Sequence, residues 1–139
     1  MDDCLRATIV IGSKHITKLE EHAKYNYPIE SCALILGTRK GNQFQVRRIQ
    51  NMKNYGNSRH FFEMDLDELM IAYTKSSREG VDIIGVFHSH LEGSVPSLKD
   101  QIYMEINPIV WVIYSCKHKK FQAYLSNEDM DEVAIIVKD

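Results

Sequence analysis

Three short apolar runs constrain this chain most: Cys32-Ala33-Leu34-Ile35-Leu36-Gly37, Val81 to Phe87, and Ile109 to Tyr114. Runs of this length, bounded by turn-forming residues, are the pattern of strands buried on both faces. Such strands need cover on each side, and the sequence offers helices for it. Ser13 to Tyr25 carries Ile16, Leu19 and Ala23 at i, i+3, i+7, with Ser13 as N-cap and Asn26-Tyr27-Pro28 ending the helix. Asp65 to Arg78 places Leu66, Leu69, Met70 and Tyr73 on one stripe and ends at Gly80. A third helix of about two turns follows Pro96-Ser97 and runs to Met104 or so. Ala7–Ile11, Phe44–Ile49 after the Lys40-Gly41-Asn42 turn, Phe121–Leu125 and Val133–Val137 read as further strands. The expectation is an α/β domain of the mixed α+β kind, a central mixed, mostly antiparallel sheet flanked by helices. With no repeat or linker, residues 1–139 form one domain.

The formal net charge of −2 argues against a nucleic-acid or membrane-surface binder. The basic run Lys117-His118-Lys119-Lys120 reads as a solvated hairpin tip. No apolar stretch approaches the ~18 residues of a membrane span. The three cysteines, Cys4, Cys32 and Cys116, form no C-x-x-C pair. Met1-Asp2-Asp3-Cys4 carries acids where a secretory leader carries bases. The expectation is a cytoplasmic chain whose cysteines are small buried hydrophobes.

Chemistry concentrates in His88-Ser89-His90, followed by Pro96-Ser97-Leu98-Lys99-Asp100. Residues i and i+2 of a strand point to one face, roughly 6.5–7 Å apart, so two imidazoles can converge on one ion. They end an apolar strand, where α/β sheets place their sites. Asp100 opens the next helix and can swing back as a third ligand, and two His plus one carboxylate leave a position open, as in catalytic zinc. An H-x-H on a strand is also often a partly exposed polar pair, and Ser97 with Asp100 also makes a sound helix start, with Ser as N-cap and an acid at N3. Spacing alone leaves both readings standing. For a general base the neighbourhood offers Glu30, Glu63 and Glu92. Glu30, after Tyr27-Pro28-Ile29 at the mouth of a buried strand, is the unusual one, although strand-end acids are commonly just solvated. His15, His22, His60 and His118 read as surface residues, and Trp111 and the methionines as core. Cys32, inside an apolar run, is a poor nucleophile.

Taken in order, Glu30, His88, His90, Ser97 and Asp100 resemble the pattern of the JAMM (MPN-plus) metallopeptidases: a Glu, a long gap, H-x-H, then S-x-x-D. Tyr-Pro-x-Glu before an apolar strand resembles the family's opening, and Ile-Ile-Gly-Val-Phe-His-Ser-His its metal strand. The resemblance spans nearly the whole chain. It implies the cytidine-deaminase-like JAMM/MPN fold, Zn2+ on His88, His90 and Asp100, Glu30 as general base and acid, and Ser97 at the oxyanion. It also implies a substrate: the isopeptide or peptide bond after the C-terminal glycine of ubiquitin or a ubiquitin-like modifier. Processing of a sulfur-carrier protein's C-terminus by the same chemistry is the alternative, and a catalytically silent scaffold subunit the other. The chain departs from the pattern at Leu91, where a Pro is common, at Ala33, where a Gly is common, and in a His90–Ser97 loop one residue shorter, which Gly93 has the backbone freedom to absorb. So compact a chain lacks long insertions for gripping a modifier, so capture would fall to an exposed apolar patch, a homodimer or a partner subunit.

Overall fold

The structure is a computed structural model that describes residues 6–106, 109–125 and 131–139. In chain order the elements are β1 (Thr8–Gly12), α1 (Ser13–Asn26), β2 (Cys32–Lys40), β3 (Gln43–Met52), α2 (Leu66–Glu79), β4 (Asp82–His90), α3 (Leu98–Ile106), β5 (Val110–Ser115), β6 (Lys120–Leu125) and β7 (Asp131–Lys138). Cys4 lies outside the described residues.

The strands do not form an open sheet flanked by helices, which corrects the sequence expectation. They close into a seven-stranded barrel in the order β1-β3-β2-β4-β5-β6-β7. Closure rests on β1, which pairs in parallel with β3 (Ile9 opposite Phe44) and with β7 (Ile9 opposite Ile135), joining what would be two edges. Joining edges removes unpaired backbone groups that would otherwise need cover. Local pattern cannot reveal this, because β1 and β7 sit at opposite ends of the chain.

Three strands carry the interior. The six residues from Cys32 to Gly37 are all buried, as are Val110 to Ser115 and all of β4 from Ile84 to Ser89. Two apolar clusters cover them. One gathers Ile9, Ala33, Ile35, Phe87, Val112 and Tyr114 with Leu19 and Ala23 of α1. The other gathers Cys32, Leu34, Val86, Trp111 and Ile113 with Ala72 of α2 and Met104 of α3. Helix boundaries follow local chemistry in α2, where the Asp65 side chain accepts from the Glu68 amide and Gly80 ends the helix at φ 73°. In α1 the expectation fails: Ser13 is already helical, Gly12 is the N-cap, and no side chain caps the start.

β2 bends where its register with β4 slips at Ile35/Leu36 and its register with β3 slips at Leu36/Gly37. At this second bulge a Cβ on Gly37 would lie 1.9 Å from the Gln45 carbonyl oxygen, a backbone atom. Gly37→Ala is therefore expected to cost at least ~2 kcal/mol in urea unfolding. Gly93→Ala, where a Cβ meets nothing within 4 Å, is expected to stay within ~0.5 kcal/mol. Equal costs would mean the bulge is not held as described.

Candidate metal centre

The antiparallel β2–β4 ladder sets Cys32 opposite His88. Beyond Cys32 a tight clip continues the alignment. The Ser89 amide donates to the Ser31 carbonyl (3.0 Å), the Ser31 amide donates to the Ser89 hydroxyl (2.9 Å), and the two hydroxyls lie 3.0 Å apart. The residue before Ser31 is Glu30, so the clip fixes its backbone beside the two histidines. Both Ser31 and Ser89 are buried. The sequence reading missed this pair, and only the pairing of an apolar strand with H-x-H hints at it.

His88 is fully buried. Its Nδ1 lies 3.5 Å from Glu30 Oε1 and its Nε2 lies 3.5 Å from Asp100 Oδ2. These separations fall within ion-pair range but are too long for good hydrogen bonds, and among the described residues neither ring nitrogen has a hydrogen-bond partner. The ring is wedged by aromatics: Phe62 at 4.7 Å between centroids and Trp111 edge-on at 5.8 Å. Trp111 is core as expected, but its neighbour in the core is a polar ring.

His90 Nε2 lies 3.1 Å from Asp100 Oδ2, and its Nδ1 lies 3.2 Å from the Gly93 carbonyl. A carbonyl only accepts, so Nδ1 carries a proton and Nε2 faces the carboxylate. With a bare lone pair there, nitrogen and carboxylate would repel. The contact needs a second proton on the ring or a cation between the two. Gly93 has no left-handed backbone, so the shortened loop uses its carbonyl rather than its conformational freedom. That loop is held by Ser94 hydroxyl on Gln122 and Ser115 hydroxyl on the Glu92 carbonyl.

Asp100 is buried on the first turn of α3. The Ser97 amide donates to its Oδ2 (2.9 Å) and its own amide donates to Ser97 Oγ (3.1 Å), a reciprocal cap. The capping role and the approach to both histidines coexist. Burial works to raise the Asp100 carboxyl. The His90 hydrogen bond, the His88 charge and the Ser97 amide outweigh it and hold the group at about 2.

These residues fit a metal ion. Ligand atoms of Glu30, His88 and His90 all lie within 4.8 Å of one another. Asp100 Oδ2 stands 3.5 and 3.1 Å from the two Nε2 atoms. Tetrahedral bonds of ~2.0–2.1 Å imply ligand spacings of about 3.4 Å, which the two distances bracket. Of the other histidines, His60 and His118 are exposed, whereas His15 and His22 are half-buried, and His22 Nε2 bonds the Cys32 carbonyl at 2.8 Å. Burial pushes the Cys32 thiol up to about 12, which removes it as a nucleophile. Glu63 and Glu92 are exposed.

Residues 12–128 match the family of prokaryotic homologs of the JAB domain. A desampylase of Pyrococcus furiosus is 30% identical over 113 residues, 79% of this chain and 77% of that protein. The solution structure of a Desulfitobacterium hafniense protein superposes with a TM-score of 0.84 at 28% identity, covering 95% of this chain and 94% of its own. A Salinibacter ruber protein shares the fold at 22% identity, with a TM-score of 0.69 over 93% and 92% of the two chains.

The His90–Asp100 contact sets a pH window for the metal-free chain. The folded Asp100 carboxyl is depressed, so its contribution is present above the ordinary value near ~3.9 and lost as pH falls toward about 2. Burial works to lower the His90 ring, but the Asp100 hydrogen bond and the Glu30 and Asp100 charges leave it raised. Its contribution is full below the ordinary ~6.5 and lost as pH rises through the folded value. Melting temperatures of chelator-treated protein should therefore peak between about pH 4 and 6.5, and His90→Ala should flatten both limbs. A wild-type profile unchanged by His90→Ala would contradict this pairing.

Proposed function

Because the chain belongs to the prokaryotic JAB-domain family, we propose that it is a zinc metallopeptidase that hydrolyses the bond after the C-terminal glycine of a ubiquitin-like modifier. The observation that carries the reading is a fully buried histidine whose two ring nitrogens make no hydrogen bond and stand 3.5 Å from two carboxylates. A buried polar atom without a partner costs roughly 1–3 kcal/mol, which a bound ion would repay. A scaffold with no metal would be more stable with an apolar residue there.

In this reading His88, His90 and Asp100 would hold zinc. Zinc supplies Lewis-acid polarisation of the scissile carbonyl and acidification of a water. The two carboxylates divide the remaining work by environment. Asp100, held at about 2 and engaged by Ser97 and His90, is a poor base. Glu30, whose carboxylate oxygen lies within 4.8 Å of ring nitrogens of both histidines, would take the proton from the attacking water and pass it to the leaving amine. Ser97 accepts from the Asp100 amide through Oγ, so its hydroxyl proton is left to donate to the developing oxyanion. Similarity to a desampylase supports a modifier protein as substrate, conjugated through lysine or as a linear fusion.

Purified protein is expected to carry close to one zinc per chain by elemental analysis, and the His88→Ala, His90→Ala double variant none. Glu30→Gln should retain the zinc while its turnover of a modifier–reporter fusion falls on the order of 100-fold or more. A chain that takes up no zinc when it is supplied would return the reading to a silent scaffold.

A further inference from the structure

The segment between β3 and α2 holds a side chain that the proposed reaction does not use. Asn54 is only 9% exposed. Its Nδ2 donates to the Glu30 carbonyl (2.9 Å) and to the Phe61 carbonyl (3.0 Å). Its Oδ1 accepts from the amides of Gly56 (2.9 Å) and Glu63 (3.0 Å). That is two donors to acceptor-only groups and two acceptances from donor-only groups, so the orientation of the amide is unambiguous.

An asparagine that only closed its own loop would need Gly56, Phe61 and Glu63. The bond to Glu30, 24 residues earlier, does something else. The Glu30 amide in turn donates to the Ser58 carbonyl (2.9 Å), so both backbone polar groups of Glu30 are tied to this loop. Two of the remaining partners, Phe61 and Glu63, bracket Phe62, whose ring lies against His88 and 6.0 Å from Trp111. The loop is also anchored to α3, since Lys99, next to Asp100, sits 4.0 Å over the Phe61 ring.

We propose that Asn54 is a positioning residue that sets Glu30 and the Phe62 wall together around the His88 ring. Through it, the base and the aromatic cover keep one fixed relation to the ligand histidine. The inference rests on the hydrolase reading for its effect on rate, but not for its effect on geometry. Misplacing a proton-handling group by about 1 Å costs on the order of 100-fold in rate. Zinc ligation itself should survive, because His88, His90 and Asp100 are held by β4 and the Ser97 cap.

The test compares wild type with Asn54→Ala and Asn54→Asp. The aspartate keeps both acceptances and loses the donors to Glu30 and Phe61, so it guards against simple loop collapse. The substrate is a ubiquitin-like protein fused through its C-terminal glycine to a reporter. Both variants should keep about one zinc per chain and a KM within about twofold, while kcat falls on the order of 100-fold. In a Glu30→Gln background, Asn54→Ala should cost almost nothing more, because its effect passes through Glu30. An unchanged kcat, or equal costs in both backgrounds, overturns the proposal. Emission of Trp111, the single tryptophan, gives a readout without turnover: it should shift to the red in both variants as Phe62 loosens. If wild type releases no reporter, the hydrolase reading fails and this emission decides the positioning role alone, with unchanged emission overturning it.

Discussion

Everything at the centre depends on the register between β2 and β4. With Cys32 opposite His88, the antiparallel ladder delivers Glu30 to the histidines although 57 intervening residues separate Glu30 from His88 in sequence. A slip of one residue would turn His88 to the opposite face and exchange it with Ser89. The Ser31–Ser89 clip makes that slip costly, because its buried hydroxyls and amides pair only in this alignment.

The barrel explains how such a site stays rigid. β4 lies between β5, buried along its length, and β2, buried from Cys32 to Gly37, so His88 and His90 project from a strand with no free edge. Asp100 comes from outside the ladder, on α3, and its alignment is set locally by the Ser97 cap. The centre thus combines a long-range constraint for three residues with a short-range one for the fourth. A helix cap worth about 1 kcal/mol suffices to aim a carboxylate that the strands cannot supply.

Much of this was legible in the residues. The apolar runs gave the three buried strands, and H-x-H at the end of one, with S-x-x-D beyond it, gave the converging side chains. Closure into a barrel was not legible, since the β1–β7 pairing is a contact between segments at opposite ends of the chain. The half-buried state of His15 and His22 was also hidden: both lie on α1, and a polar ring at a helix flank carries no mark of what covers it. The Ser31–Ser89 clip and Phe62 went unseen because serines and a single aromatic in a polar stretch have no periodic signal. The cap at Ser13 was misread because Gly12 enters the helix directly from β1.

X-ray absorption at the zinc edge of the loaded protein tests the central claim most directly. Two imidazole nitrogens and oxygen neighbours at ~2.0–2.2 Å, with no sulfur, are the predicted shell. A sulfur neighbour at ~2.3 Å would place the metal on a cysteine instead and contradict the account.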